Sequence, residues 1–356
     1  MSYANGWDAL NLHFSSKIPR TEYSVHAYHW ALMKAVTGID TDQLELRPAA
    51  QRKFLQAWDY SIMWRTDVSS SQLAANGGRI TAMGHAVYGE NTSGKGDFNP
   101  EVVCPFADVE DVYALDPCRE YREFDRAELV RFFEGRYADA QQILPDTVNM
   151  GGVYVSMFSG LIAIFGWELL LEAIAYDEKK FGKVIEGYYQ WVKQFFDAYA
   201  ACSIPVMMMH DDLCWTSGPA ASPFWYRRYI FPYLKKLIEP LEAAGKKVIF
   251  TSDGTIDEFF PDIVDLGVDS VVMEPSSNMA LFAERYGDHV GFVGGMDCRT
   301  LTFGTPEEIE YEMSRVMAYG RRYPGFILAV GNHLPADVPV ERALLYNELY
   351  ERFAAR

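Results

Sequence analysis

Polar residues that could do chemistry follow five apolar segments in the C-terminal half of the chain. They are His210-Asp211-Asp212, Thr251-Ser252-Asp253, Glu274, Asp297-Cys298 and Asn332-His333. Carboxylates and imidazoles gathered at one place can bind a divalent metal or transfer protons. Polar residues after a strand also serve as turn residues and helix caps, and that alternative stays open at each single position. Five such segments in succession favour a functional set.

The elements that must position these residues follow from the alternation of apolar runs with helical patterns. Strands are expected at 204–209, 247–251, 270–274, 290–295 and 326–331, with earlier ones at 79–84 and 147–155. Helices are expected at 177–201, 223–245 and 305–320, the last with a capping box. Buried strands separated by helices are typical of a parallel sheet, and the carboxyl ends of barrel strands carry the chemistry. The sequence therefore predicts an α/β protein, a single (β/α)8 TIM barrel domain spanning 1–356, with elaborated rim loops at 85–130.

Composition narrows the possible partners and the compartment. The formal net charge is -17, and a field of that sign repels nucleic acid and anionic lipid. The five cysteines are widely spaced with no CxxC pair, and the N-terminus has no secretory leader, which predicts a cytoplasmic protein. The apolar stretch 151–176 is interrupted by Glu168 and Glu172, so a buried strand running into a buried helix is expected rather than a membrane span.

Several common catalytic motifs are absent from the sequence. There is no GxGxxG after a first strand, no GxxxxGK[ST] and no GxSxG. Nicotinamide, P-loop and serine-hydrolase chemistry therefore have no motif support.

The order of the C-terminal blocks resembles the uroporphyrinogen decarboxylase superfamily. The similar blocks are MHDDLCWTSGPAASPFWYRRYIFPYLKKLIEPLEAAGKKVIFTSDG, GVDSVVMEP, GGMDCRTLTFGTPEEI and GFILAVGNHLPADVPVERALLYN. The N-terminal KIPRTEYSVHAYHWALMKAVTGID resembles family members of unassigned activity and corrinoid-dependent methyltransferases. The likeness covers most of the chain and implies a barrel that forms a homodimer.

Within that superfamily, the resemblance to the true decarboxylases is incomplete. Those enzymes carry an arginine-rich motif of the type MRQAGR that holds the acidic side chains of the porphyrinogen, and Arg20 is the only comparable arginine here. A cofactor-free decarboxylase is therefore the alternative prediction. A barrel recruited as a non-catalytic binding protein is a third.

The zinc-dependent methyltransferases of the superfamily offer the second branch. Members acting on thiols carry His-x-Cys-Gly where this chain has residues 251–254, so the resemblance implies an oxygen-rich zinc site of Asp253, Glu274 and His333. In relatives that demethylate aryl methyl ethers, a Glu-x14-Glu-x20-His motif has been proposed. Asp297, Glu312 and His333 match that spacing, with Cys298 adjacent, but a ligand on a helix outside the barrel would be unusual.

The leading prediction is a methyltransferase, the first component of an O-demethylase system. It would move the methyl group of a small O-methylated, methoxyaromatic substrate to the Co(I) corrinoid of a partner protein, with zinc or an acid activating the ether oxygen. The sequence contains no cobalamin-binding Asp-x-His-x-x-Gly motif, so the corrinoid must come on a partner. The predicted catalytic residues are His210, Asp212, Asp253 and His333, and the predicted substrate-binding residues are Arg20, Tyr23, Asp211 and Trp215.

Overall fold

The computed structural model describes residues 2–25, 29–81, 83 and 103–356. Its α-helices are α1 (Ser2–Leu10), α2 (Trp30–Thr37), α3 (Arg47–Ala57), α4 (Ser70–Leu73), α5 (Val109–Tyr113), α6 (Pro117–Glu120), α7 (Arg126–Ile143), α8 (Phe158–Tyr176), α9 (Glu178–Ala201), α10 (Pro223–Tyr229), α11 (Phe231–Ala243), α12 (Phe260–Asp265), α13 (Met279–Tyr286), α14 (Cys298–Phe303), α15 (Pro306–Arg322) and α16 (Val340–Phe353). The strands are β1 (Ile62–Met63), β2 (Val148–Asn149), β3 (Gly151–Val153), β4 (Val206–His210), β5 (Cys214–Trp215), β6 (Gly218–Pro219), β7 (Lys247–Thr251), β8 (Ser270–Met273), β9 (Gly291–Met296) and β10 (Phe326–Val330).

Parallel pairing joins the main strands in the order β10-β9-β8-β7-β4-β3. β1 pairs in parallel with β2, which directly precedes β3. Residues 19–25, which we call the closing segment, complete the circuit: Arg20 bridges Leu328 of β10, and the Arg20 carbonyl accepts a 2.9 Å hydrogen bond from Ser61, just before β1. The (β/α)8 barrel expected from the sequence is confirmed, although isolated bridges rather than a continuous ladder close it.

The barrel strands separate two apolar cores because successive side chains point to opposite faces. The interior core includes Ile62, Val148, Val206, Met208, Ile249, Val272, Val293 and Ile327. Their neighbours Met207, Val248, Val271, Phe292 and Leu328 belong to the core between the strands and the helices. Burial on both faces explains why these strands are almost continuously apolar in the sequence.

Helix α1 lies across the end of the barrel where the strands begin. It contacts β1, β2 and β10, and Ala9 and Leu10 belong to the interior core. The approach is close at Gly6, where a Cβ atom would stand 2.5 Å from the carbonyl oxygen of Ser61. Only glycine fits there without moving the backbone.

The apolar stretch 151–176 forms β3 and the helix α8, as predicted. α8 is long and apolar enough to cross a membrane by length and composition, but 61% of its apolar window is buried inside the fold. It is therefore packed like the core helix of a barrel. Its backbone is kinked at Gly166, whose φ of 70° lies in the left-handed region.

The strands predicted in the C-terminal half are confirmed, and so is the helix α15 with its capping box of Thr305 and Glu308. Two predicted elements are wrong. The expected helix 223–245 is divided at Ile230, because Pro232 starts a new helix and cannot continue the old one. Residues 79–81 form no strand, since the backbone amide of Arg79 donates to the Glu120 carboxylate and that of Thr81 to a carbonyl of α8.

The expected rim excursion at 85–130 is described only in part. Residues 85–102 lie outside the described residues, as do 82 and 84 of the expected early strand. The remainder, from 103 onward, contains α5, α6 and the start of α7.

Candidate active site

His210 ends β4 and lies in the barrel interior between two tyrosines. Its ring stacks on Tyr154 with the ring centres 3.9 Å apart, and its Nδ1 is 3.3 Å from the hydroxyl of Tyr23. Its Nε2 is 2.8 Å from Oδ1 of Asp212, an ion-pair contact. Burial alone would lower the pKa of His210, but Asp212, Asp253 and Asp211 together raise the pKa above its ordinary value. The imidazole of His210 therefore keeps its proton to a higher pH than an ordinary histidine.

Asp253 follows β7, and its surroundings raise the pKa of its carboxyl group. Desolvation comes first among the causes, followed by the nearby charge of Asp212, and together with Glu274 they raise its pKa to about 8. His210 and a hydrogen bond from Asn332 oppose the shift. At neutral pH the carboxyl group of Asp253 is thus mostly protonated and can donate a proton.

The backbone arranges these carboxyl groups around one another. The amide of Asp253 donates to Oδ1 of Asp212 at 3.0 Å, and the amide of Asp212 donates to Oγ of Ser159 at 2.7 Å. The amide of Gly254 donates to Oε2 of Glu274 at 2.7 Å. Gly254 has a φ of 79°, and a Cβ atom there would lie 2.6 Å from the carbonyl oxygens of Cys214 and Trp215, so the turn requires glycine.

Asn332 connects two of the carboxyl groups. Its Nδ2 donates to Glu274 Oε1 at 2.7 Å and lies 3.4 Å from Asp253 Oδ1, while its own Oδ1 accepts from the amide of His333 at 2.8 Å. The sequence predicts Asn332 at the end of β10 but indicates no role for it. Its position after the last strand, next to the predicted site residue His333, is the signal that could have identified it.

Asp211 points away from this cluster, towards the start of α8. Its Oδ1 accepts from the amide of Ser159 at 2.6 Å, and its Oδ2 has no hydrogen-bond partner among the described residues. Burial raises its pKa to about 7. The side chain of Asp211 is completely buried and is hydrogen-bonded to the first turn of α8, so its printed contact is with the protein backbone.

The closing segment also contributes side chains to the site, Tyr23 beside His210 and Ser24 beside His333. Tyr23 lies with its ring centre 5.4 Å from that of His333 and 5.5 Å from that of Trp64. Burial, with Asp253 and Asp212, raises the pKa of Tyr23, so its hydroxyl stays protonated. Ser24 is hydrogen-bonded to Nδ1 of His333.

Several expected site residues lie elsewhere. Arg20 is buried outside the barrel, where its guanidinium donates to the carbonyl of Trp58 and lies over the rings of Trp58 and Tyr350. The closing segment turns the side chain of Arg20 away from the barrel interior. Arg20 therefore does not face the cluster of site residues at the strand ends. Trp215 is 42% exposed and packs edge-on against Trp167 at the rim.

The side chains of the alternative ligand set at β9 have other partners. Asp297 caps α14 and forms an ion pair with Arg299 at 2.7 Å. Glu312 accepts from the amide of Asp297 at 3.2 Å. Burial raises the pKa of Glu312, and burial raises that of Cys298 with Asp297 second. These groups stabilise the turn between β9 and α14.

The predicted zinc site depends on how its donor groups are arranged. Within the described part of the chain, no group of three or more His, Cys, Asp and Glu side chains is disposed to hold a metal ion. Asp253 and Glu274 share the amide of Asn332, and Nδ1 of His333 is engaged by Ser24. The three predicted ligands are neighbours on the rim, but their present arrangement does not fit a zinc centre.

A parallel barrel with ionisable groups clustered at the carboxyl ends of its strands is the arrangement found in α/β-barrel enzymes. Comparison with known proteins gives the family: the chain belongs to the uroporphyrinogen decarboxylase (URO-D) family, whose model matches residues 80–352. The expected resemblance is confirmed.

Individual relatives are distant. A uroporphyrinogen decarboxylase from Psychromonas ingrahamii is 27% identical over 160 residues, 44% of this chain and 43% of that protein, so the match spans less than half of the relative. One from Pseudomonas entomophila is 24% identical over 287 residues, 76% of this chain and 75% of that protein. A solved structure of a methyltransferase from Methanosarcina mazei superposes with a TM-score of 0.67, covering 99% of this chain and 98% of that one at 15% identity, which shows a shared fold.

Proposed function

We propose that the chain transfers a methyl group from the oxygen of a small O-methylated donor, such as a methoxyaromatic compound, to a reduced corrinoid carried by a separate protein. The observation that carries the proposal is the position of the Asp253 carboxyl group at the strand ends, where burial and the neighbouring charges of Asp212 and Glu274 raise its pKa and its backbone amide donates to Asp212. An ether needs an acid of this kind, because its oxygen leaves as an alkoxide or phenolate unless it is protonated.

The proton balance is favourable for an aryl ether. A phenol has a pKa of about 10, whereas the pKa of Asp253 is about 8, so the proton moves to the departing oxygen as the carbon–oxygen bond breaks. The methyl group goes to the acceptor, the phenol leaves, and Asp253 remains as a carboxylate. In this proposal His210, whose pKa is raised and whose Nε2 contacts Asp212, restores the proton. The bound partner supplies the nucleophile, its reduced cobalt.

The charge of the site supports a donor that is not a polyanion. Asp212 contacts the imidazole of His210, Glu274 accepts from the amide of Gly254, and no arginine or lysine among the described residues hydrogen-bonds to Asp253 or Glu274. A porphyrinogen with many carboxylates would meet like charge there. This favours the methyltransferase over the decarboxylase prediction.

Acid activation replaces zinc in this proposal, because no three His, Cys, Asp or Glu side chains in the described part of the chain are arranged to hold a metal ion. The strand-end face of the barrel, which holds the cluster, is where a corrinoid protein would have to approach. A cytoplasmic location, where such partners stay reduced, is part of the same proposal.

The test is an assay of the purified chain with a panel of methoxyaromatic compounds and a reduced corrinoid protein, following phenol release and the absorbance change of the corrinoid. Phenol formation that depends on the corrinoid protein would support the proposal. Release of carbon dioxide from uroporphyrinogen without any corrinoid would overturn it in favour of a decarboxylase. Binding of a donor with neither product would indicate a non-catalytic protein.

A further inference from the structure

The closing segment is joined to β10 by a hydrogen-bond ladder with one step replaced. Leu328 donates its amide to the carbonyl of Pro19, and Thr21 returns a bond to the carbonyl of Leu328, both at 2.9 Å. Parallel pairing would next give the amide of Val330 a main-chain carbonyl. It donates instead to Oε2 of the Glu22 side chain at 3.0 Å.

Glu22 is itself held on its other side. Its Oε1 accepts a 2.6 Å hydrogen bond from the hydroxyl of Tyr346 on α16, and the side chain is almost completely buried. Burial raises its pKa to about 7, against the hydrogen bonds from Tyr346 and Val330 and the nearby charge of Arg20. Ionising a buried carboxyl group costs free energy, and the hydrogen bonds from Tyr346 and Val330 offset part of that cost.

The contacts of Glu22 determine where the next two side chains lie. Glu22 points outward to α16, Tyr23 points inward to His210, and Ser24 bonds His333. Val330, which Glu22 holds, stands two positions before Asn332. One carboxyl group thus ties together the two chain segments that supply the Tyr23 wall and the Asn332-His333 wall of the site.

We infer that Glu22 is a positioning residue, which sets the register of the closing segment against β10 and so fixes Tyr23 and Ser24 against the two histidines of the site. It touches neither histidine and acts through its neighbours. The inference concerns the geometry of the site and holds whichever reaction the site catalyses.

The experiment uses NMR of histidine side chains in the full-length protein without substrate. Signals of His210 and His333 are assigned by their loss in His210→Gln and His333→Gln, and each is titrated with pH. Glu22→Gln and Tyr346→Phe are compared with Tyr350→Phe. Tyr350 is a matched control: it is on the same helix, equally buried, and bonds the carbonyl of Ile18 at the start of the same chain region without touching Glu22.

Glu22→Gln and Tyr346→Phe are expected to move the chemical shifts and midpoints of both histidines, in the direction that Tyr23→Phe moves His210. Tyr350→Phe should lower the urea midpoint while leaving both signals in place. If the two variants lower the urea midpoint but leave both histidine signals where they are in the wild type, Glu22 is only a structural residue. The same conclusion follows if Tyr350→Phe moves the signals equally. If Glu22→Gln fails to fold, Tyr346→Phe, the milder change, still provides the comparison.

Discussion

The substitution Asp253→Asn should affect catalysis and stability differently, so it tests the protonated state of this carboxyl group. The substitution keeps the shape of the side chain and an oxygen for the Asn332 amide, but removes the proton that the proposed reaction needs. General acids contribute roughly 10²- to 10⁴-fold to a rate, so kcat with a methoxyaromatic donor should fall by about that factor. KM should change little, because Asp253 is asked to act on the leaving oxygen rather than to bind the ring.

The free energy of unfolding should rise in Asp253→Asn, although kcat falls. In the unfolded chain Asp253 ionises near its ordinary pKa of 3.8, whereas in the folded chain it ionises at about 8. The folded state therefore holds a proton that the unfolded state loses, and the wild type loses stability as pH rises from about 4 to 8. At about 1.4 kcal/mol per pKa unit, the ceiling is about 6 kcal/mol, and partial solvent contact at the strand end reduces the expected gain from Asp253→Asn to about 2 kcal/mol or more.

The assay is urea unfolding at pH 5 and pH 8, beside corrinoid-dependent phenol release over the same pH range. Asp253→Asn should unfold at higher urea than the wild type, with the larger gap at pH 8, and should lose the decline of wild-type activity above about pH 8. Asp146→Asn, at an exposed turn before β2, is the control and should change neither quantity. Equal or lower stability of Asp253→Asn at pH 8 would refute the protonated carboxyl group, whatever happens to the activity.

Three further outcomes are expected. Asn332→Leu removes the amide shared by Glu274 and Asp253 and should cost about 1–3 kcal/mol of stability by urea unfolding, with at least a tenfold loss of kcat; an active, stable variant would contradict the bridge. Prolonged treatment with a zinc chelator should leave activity within about twofold, whereas stoichiometric zinc by elemental analysis together with inactivation would restore the Asp253, Glu274 and His333 ligand prediction. Arg20→Met should lower the free energy of unfolding, by about 2–4 kcal/mol, with KM unchanged in the remaining folded enzyme; a raised KM without destabilisation would return Arg20 to the substrate.

The sequence predicts the strand ends well because the rule behind them is geometric. Parallel strands bring their carboxyl ends to one edge, so His210, Asp253, Glu274 and Asn332 meet although they are far apart in the chain. The strands that are buried on both faces are recognisable by their apolar runs alone. The point where each apolar run stops also predicts where the strand ends.

Other features depend on side-chain direction in places where no periodicity exists. The closing segment has no regular strand pattern, so nothing in the sequence tells that Arg20 faces outward and Tyr23 inward. Tyr154 stacks on His210 from a position just after the short strand β3, a contact between distant parts of the chain that spacing does not reveal. The engagement of His333 by Ser24 is likewise a tertiary contact.

Helix α1 packs against the end of the barrel where the strands begin, which affects how molecules can enter. Since Ala9 and Leu10 belong to the interior core where the strands begin, the described residues close that end, and we expect molecules to reach the carboxylate cluster through the opposite mouth. For the proposed reaction, the small methyl donor and the corrinoid protein would then share one entrance, and the larger partner would cover it. The donor has to enter first and the demethylated product has to wait for the partner to leave, so steady-state kinetics should show an ordered ternary complex, with inhibition when the corrinoid protein is in excess.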